Sequence, residues 1–149
     1  MSSSHILVVD DDLFIVETLR GYLETQGYRV TAASGCGEAL ATLRGTDKVD
    51  LVILDYLMGD GSATDLLRTL GEEKCAQRPP IIMASSFLDP TTPIWLRLQK
   101  RLPVESQSLI HAYLTKPYAL DAMKMALHEV LGGDYIPGTR STRPSQKIR

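Results

Sequence analysis

The sequence predicts an α/β domain in which five parallel strands form a central sheet with helices on both faces. The chain has 149 residues, the usual size of one domain, and 44% of them are hydrophobic, which excludes a wholly disordered chain. Short apolar runs recur along it, and amphipathic segments separate them. Near-continuous apolar runs are typical of strands buried on both faces, and their alternation with helices favours a parallel sheet.

The predicted strands are apolar runs rich in β-branched residues, and most of them end abruptly in polar residues. The first ends in three aspartates, the third in Asp55, the fourth in Ser85 and the fifth in Lys116. The second run is the most polar, which predicts a strand at the edge of the sheet. The five runs are Ile6–Val9, Tyr28–Ala33, Leu51–Leu54, Ile81–Ala84 and Ile110–Thr115.

Four amphipathic helices are predicted between and after these strands, each from apolar residues at helical spacing. A glycine follows each of them, as glycine commonly does where a helix ends. In the third helix Ser62 is the predicted N-cap, and Gly71 is predicted to lie beyond the end. The predicted helices are 14–23 before Gly27, 38–43 before Gly45, 62–70 before Gly71 and 120–131 before Gly132.

The segment 87–109, between the fourth and fifth strands, does not fit a minimal strand–helix unit. Pro90, Pro93 and Pro103 divide it, and proline interrupts helices. We therefore predict a broken or displaced helix over residues 94–102 rather than a long regular one.

Charge is distributed unevenly along the chain, although the net charge is only −2, from 16 basic and 18 acidic residues. Residues 134–149 carry four basic residues against one aspartate, a balance of +3. We expect a folded domain over residues 1–133 and a disordered basic tail over 134–149. The weak overall charge does not indicate a nucleic-acid surface. No apolar run reaches the ~18 residues of a membrane span, and no signal peptide is evident, so a cytoplasmic protein is expected.

The polar residues after the strands predict a site for phosphoryl transfer, because ligands bind at the carboxyl ends of strands in a parallel α/β sheet. Carboxylates brought together there repel one another unless a cation such as Mg²⁺ joins them. An aspartate can attack a phosphoryl group to give an aspartyl phosphate, while Mg²⁺ and an ammonium neutralise the transferring oxygens. The side chains expected to converge are Asp10, Asp11, Asp55, Ser85 and Lys116.

Four motifs at the ends of four predicted strands resemble the receiver domain of bacterial response regulators, over roughly residues 4–131. They are ILVVDDD at 6–12, LDYLM at 54–58, IMAS at 82–85 and YLTKP at 113–117. The resemblance implies a (βα)5 flavodoxin-like fold with strand order 2-1-3-4-5. It also implies a role in two-component, or phosphorelay, signal transduction.

The resemblance implies a phosphoacceptor and a Mg²⁺ site. Asp55 would accept the phosphoryl group. Mg²⁺ would be held by Asp10, Asp11, Asp55 and the backbone carbonyl of Leu57.

The resemblance also implies contacts to the attached phosphoryl group and a conformational switch. Ser85 and Lys116 would contact the phosphoryl oxygens. Ser85 would act with Tyr113, which matches the aromatic switch position of the family. The Lys116–Pro117 peptide bond would be cis, as it often is in the family.

The chain departs from the family pattern in two places. Gly59, Asp60 and Ala63 stand where the family usually has proline, glycine and glycine. The interval from Ser85 to Lys116 is longer than usual by about ten residues, around the helix predicted over 94–102, which corresponds to the fourth helix of the family fold. The residues of the phosphorylation site are therefore retained, while the surface that most receivers use for output differs.

The function implied is a stand-alone receiver, not an enzyme, that a histidine kinase or a histidine phosphotransfer protein phosphorylates. It would then bind a downstream protein through the face formed by its fourth helix (the one predicted over 94–102), its fifth strand and its fifth helix (120–131). A homodimer is a further candidate assembly, with no face assigned to it. No direct contact with nucleic acid is expected. Two alternatives stay open: a receiver fragment of a larger DNA-binding regulator, and a Mg²⁺-dependent phosphohydrolase. Leu57 stands where such hydrolases carry a general acid, which argues against the hydrolase.

Overall fold

Strands and helices alternate along the chain in the computed structural model, which describes residues 3–56, 63–72, 76–85, 100 and 102–132. The strands are β1 His5–Val9, β2 Arg29–Ala33, β3 Leu51–Leu54, β4 Ile81–Ser85 and β5 Ile110–Thr115. The helices within the described residues are α1 Leu13–Thr25, α2 Cys36–Arg44, α3 Ala63–Glu72, α4 Val104–Gln107 and α5 Leu120–Leu131.

The five strands form one parallel sheet in the order β2-β1-β3-β4-β5, which confirms the predicted fold. The prediction that the second strand lies at an edge is also confirmed. Val9, the last residue of β1, lies opposite Ala33 of β2 and Leu54 of β3. Strands β1 and β3 therefore end side by side, so the residues that follow them, Asp10 and Asp55, lie close together.

Side chains of the sheet alternate between two cores, one on each face. In β1, Leu7 and Val9 pack with α2 and α3, whereas Ile6 and Val8 pack with α1 and α5. All four are at most 1% exposed. The sheet is thus buried on both sides, as its continuous apolar runs predicted, and its carboxyl edge is held rigidly.

Predicted helix ends differ from the observed ones by up to two residues. The first helix extends to Thr25 rather than ending at residue 23. The second helix begins at Cys36, two residues before the predicted start, and ends before Gly45 as expected. The third helix includes Gly71 and extends to Glu72. Gly71 does not end the helix because its function there is packing: a neighbouring segment occupies the space that a side chain would fill.

Helix α4 is a single turn after Pro103 that the sequence did not predict. Its Ser106 is fully buried and packs against Gly71 of α3. The predicted helix over 94–102 lies almost entirely outside the described residues. The predicted N-cap Ser62 and the tail 134–149 lie outside them as well.

Replacing Gly71 with alanine is expected to lower the free energy of unfolding by about 1–2 kcal/mol. A Cβ at this position would clash with Ser106 Oγ and lie 3.2 Å from Ser106 N, so the buried turn must shift. Overpacking of this kind costs ~1–3 kcal/mol. The better helix propensity of alanine offsets part of that cost. Urea unfolding measures the difference.

Gly21→Ala is the matched control, because Gly21 is an exposed residue of α1 with no atom within 4 Å of the added Cβ. This variant should be more stable than wild type by ~0.5–1 kcal/mol, from helix propensity alone. Equal changes in the two variants would contradict the packing role of Gly71.

Candidate functional site

Asp10 and Asp55 are held beside each other by the backbone of neighbouring strands. The Asp10 N–H donates to the carbonyl of Ala33 at 3.0 Å, and the Asp55 N–H donates to the carbonyl of Val9 at 2.9 Å. These bonds continue the hydrogen-bond ladders one residue past the strands. Asp10 and Asp55 are only 5% and 8% exposed, so the fold fixes two carboxyl groups in a largely buried position.

Three carboxyl groups converge at this edge of the sheet. One oxygen from each of Asp10, Asp11 and Asp55 lies within 4.8 Å of the others, and Asp11 is the exposed member. At such distances like charges raise one another's energy, and an opposite charge is required to hold all three ionised. The grouping of these three residues is the one that the sequence predicted.

Lys116 supplies part of that opposite charge from the end of β5. Its Nζ donates to Asp10 Oδ2 at 2.7 Å and to Asp55 Oδ1 at 3.1 Å. The lysine side chain is only 14% exposed. The Lys116–Pro117 peptide bond is cis, as the family resemblance implied. Lys116 therefore bridges the two buried carboxylates.

The ionisation of Asp55 and Lys116 is strongly coupled. Burial, followed by the negative charge of Asp10, raises the pKa of Asp55, and Lys116 offsets only part of this effect. Burial also disfavours the charged form of Lys116, but the hydrogen bond to Asp10 and the charges of Asp55 and Asp10 outweigh it and raise the pKa of the lysine. Lys116 is therefore protonated at neutral pH. Its charge only partly balances the burial and repulsion that destabilise the ionised form of Asp55.

The donor set of this site fits a hard divalent cation. Three carboxylates and one ammonium leave a formal charge of −2, and carboxylate oxygens are the ligands that Mg²⁺ prefers. Each oxygen of Asp10 already accepts a hydrogen bond, from the Asp12 N–H at 2.9 Å and from Lys116. The residues present therefore match a magnesium site in which Asp10 is held in place by two neighbours.

Asp12 caps the helix that follows the acidic residues. Its side chain accepts hydrogen bonds from the N–H groups of Phe14 and Ile15 at 3.0 and 3.3 Å. Because the Asp12 N–H also donates to Asp10, the start of α1 and the orientation of Asp10 are set by one turn.

Of the other predicted site residues, the structure describes Tyr113 fully, Ser85 in its backbone only and Leu57 not at all. Ser85 is the last residue of β4 and lies opposite Thr115 of β5, but its side chain is outside the described part of the structure. Leu57, with the carbonyl predicted to bind Mg²⁺, lies wholly outside it. Tyr113 is half-buried against the core on the α2–α3 side, and burial raises its pKa well above the usual range.

Tyr118 belongs to the surroundings of the site, although sequence reasoning did not single it out. It lies two residues after Lys116 and packs against the core on the α1–α5 side. Burial raises its pKa; the charge of Lys116 opposes this and the charges of Asp10 and Asp55 add to it. The sequence signal that could have identified it is an aromatic residue directly after a Lys-Pro pair at a strand end.

A family model for the response regulator receiver domain matches residues 6–128. This chain belongs to that family. It is therefore a receiver domain of two-component signalling, and the acidic cluster corresponds in kind to the magnesium and phosphorylation site of such domains. None of the helices in the described ranges is long and apolar enough to cross a membrane.

Relatives of known sequence are response regulators. The response regulator SaeR of Staphylococcus aureus (strain USA300) is 31% identical over 71 residues. That alignment covers 48% of this chain and 30% of the relative, so the chain matches about a third of the length of this longer protein.

Solved structures agree with the family assignment. A CheY-like receiver domain from Methanospirillum hungatei JF-1 is 27% identical, with a TM-score of 0.67 over 88% of this chain and 98% of that one. The response regulator TrrA from Thermotoga maritima, in complex with Mg²⁺ and BeF, is 26% identical, with a TM-score of 0.66 over 85% of this chain and 98% of that one. A CheY-like receiver from Methylobacillus flagellatus, 22% identical with a TM-score of 0.67 over 87% of this chain and 99% of that one, shares the fold.

Proposed function

We propose that this receiver accepts a phosphoryl group on Asp55 from a phosphohistidine of a sensor histidine kinase or a histidine phosphotransfer protein. The observation that carries the proposal is the Lys116 ammonium bonded to both Asp10 and Asp55, inside a cluster of three carboxylates. The proposal is supported by a carboxylate that can act as nucleophile, two further carboxylates that can bind a cation and a positive charge, all close together. Each is needed for phosphoryl transfer to a carboxylate.

In the transfer step a carboxylate oxygen of Asp55 forms a bond to phosphorus while the P–N bond to the donor imidazole breaks, and the imidazole takes up a proton. Asp10, Asp11 and Asp55, with the Leu57 carbonyl, would hold the Mg²⁺. When bound, the ion neutralises charge on the phosphoryl oxygens. Lys116 keeps its proton because its pKa is raised, and it turns from Asp55 towards the new phosphoryl group.

Phosphorylation would then shift a conformational equilibrium through Ser85 and Tyr113 towards a state that binds a downstream protein. The face expected to change comprises the helix predicted over 94–102, β5 and α5. A homodimer is a further candidate assembly. We assign the receiver to residues 1–133, with a basic tail over 134–149, and place the protein in the cytoplasm, where such kinases donate their phosphoryl groups.

Incubation with Mg²⁺ and ³²P-labelled acetyl phosphate tests the proposal. We expect at most one equivalent of label, loss of labelling with EDTA, and mapping of an acyl phosphate to Asp55 by borohydride reduction and mass spectrometry. Labelling at another residue, or none, would refute it. Consumption of acetyl phosphate over many equivalents would instead support the phosphohydrolase.

A second candidate is the receiver part of a longer regulator with an output domain, because SaeR of Staphylococcus aureus is about three times as long as the segment it shares with this chain. The length of the native protein separates the two candidates. An immunoblot of the source cells with an antibody against this receiver would show a band near 16.4 kDa for the stand-alone form. A substantially larger band would favour the fused form.

A further inference from the structure

Ser106 of α4 is a fully buried polar residue that has no place in the acidic site. Its Oγ donates a hydrogen bond of 2.6 Å to the backbone carbonyl of Leu67, in the middle of α3. A buried hydroxyl destabilises the fold unless it is bonded, so α4 has one preferred position along α3. The bond therefore ties two helices that are distant in sequence.

Gly71 leaves the space on α3 that Ser106 of α4 occupies. In an α-helix the carbonyl of residue 67 also accepts the N–H of residue 71, so Gly71 borders the point where Ser106 binds. A Cβ at Gly71 would clash with Ser106 Oγ. Helix α3 cannot slide past α4 without breaking the Ser106 bond or bringing other side chains into its place.

The other end of α3 is tied to the phosphoacceptor strand. The N–H of Ala63, the first residue of α3, donates to the carbonyl of Tyr56 at 3.0 Å. Tyr56 directly follows Asp55. Leu67 is four residues further along the helix, a distance of about 6 Å. One turn of helix thus separates the vicinity of Asp55 from the Ser106 bond.

Beyond Ser106 the connection continues into β5. The N–H of Leu109 donates to the carbonyl of Ser106 at 3.1 Å, and the carbonyl of Leu109 accepts from the N–H of Ile81 at 2.8 Å. The next residue begins β5, the strand that carries Tyr113. A movement of α3 that displaces α4 would therefore also move β5. This is the strand that carries Tyr113, the expected switch residue.

We propose that Ser106 is a mechanical joint that transmits the state of the Asp55 site through α3 to α4 and β5, in addition to the route through Ser85 and Tyr113. The proposal rests on the proposed function, because it requires that Asp55 change state. The coupling between α3 and α4 depends on the Ser106 hydroxyl and on the absence of a side chain at Gly71.

Amide NMR spectra recorded with and without Mg²⁺ and beryllofluoride test this joint in the full chain. Ser106→Ala removes the donor, and Gly71→Ala keeps the donor but blocks its place. Ser108→Ala is the matched control, because the Ser108 hydroxyl donates to the carbonyl of Glu105 within the same turn and does not reach α3. Should Ser106→Ala fail to fold, Ser106→Cys is the second variant: it keeps a side chain of the same shape, slightly larger, with a weaker donor.

In wild type and Ser108→Ala, the amide signals of residues 104–110 should move when beryllofluoride binds. In Ser106→Ala and Gly71→Ala that movement should fall by at least half, while signals of residues 10–12 and 116 move as in wild type. Unchanged movement at 104–110 in both variants would overturn the joint, as would its absence in wild type. If residues 10–12 and 116 do not respond in wild type, the proposed function itself fails.

Discussion

The Asp55→Asn variant is expected to lose all phosphoryl uptake and at the same time to become more stable than wild type. The amide cannot act as the nucleophile, so the label from acetyl phosphate should fall to background. The free energy of unfolding in the absence of Mg²⁺ should rise by about 1 kcal/mol, because burial of the charge and repulsion from Asp10 and Asp11 outweigh the attraction to Lys116. Asparagine keeps an oxygen that can accept from Lys116.

The stability gain of Asp55→Asn should depend on pH, because burial and the charge of Asp10 raise the pKa of Asp55 above its ordinary value of 3.8. A carboxyl whose pKa is raised on folding destabilises the native state only when it is ionised there. The difference between variant and wild type should be full at neutral pH and shrink as pH falls through the folded-state pKa towards 3.8. Urea unfolding at several pH values measures it.

Asp65→Asn is the matched control for the loss of one carboxylate. Asp65 is an exposed residue of α3 paired with Arg68 at 3.5 Å. Its replacement should change stability by no more than ~0.5 kcal/mol and leave labelling intact. A destabilised Asp55→Asn protein would contradict the picture of repulsion within the acidic cluster. Retained labelling would remove Asp55 as the acceptor.

The site could be predicted because its residues follow directly from strand ends. In a parallel sheet the carboxyl ends of the strands meet at one edge, so Asp10, Asp55 and Lys116 had to lie together once the strands were placed. The hydrogen bonds from Asp55 to Val9 and from Asp10 to Ala33 show how little freedom remained. Local sequence and sheet topology are sufficient for this part of the molecule.

The α3–α4 contact could not be predicted in the same way. Gly71 was interpreted as a helix end because glycine usually has that role at such a position, yet it lies within α3. What determines its identity is Ser106, a residue 35 positions later on a turn whose place the sequence did not indicate. Contacts between distant segments leave no periodic signal, so only the folded structure reveals them.

Replacing Lys116 with methionine is expected to slow phosphoryl uptake from acetyl phosphate by roughly 10²–10³-fold, the usual effect of removing one group that stabilises charge in a transition state. Methionine keeps most of the volume of the half-buried chain and removes its charge. In the same variant Mg²⁺ should bind more tightly, by several-fold, because the formal charge of the site falls from −2 to −3. Isothermal titration calorimetry measures the second effect.

The stability of Lys116→Met should depend on whether Mg²⁺ is present. Loss of the ammonium leaves Asp10 and Asp55 without their cation, and breaking a largely buried ion pair from one side costs up to ~3–5 kcal/mol. Mg²⁺ should restore much of this loss, since a ligand that binds the native state stabilises it. The pKa of Lys116 in the folded protein is raised above its ordinary value of 10.5. The stabilisation that Lys116 gives the wild-type protein should therefore be complete at neutral pH. It should be lost only as pH rises above 10.5 and through the higher folded-state pKa.

Lys116→Arg is the informative partner of the methionine variant. It keeps the charge, so Mg²⁺ affinity and stability should stay close to wild type, while uptake still falls because a planar guanidinium cannot occupy the same point between Asp10 and Asp55. Two separable effects are thus assigned to one residue: its charge balances the carboxylates, and its position serves the transfer. Uptake at the wild-type rate in Lys116→Met would show that the ammonium has only the first.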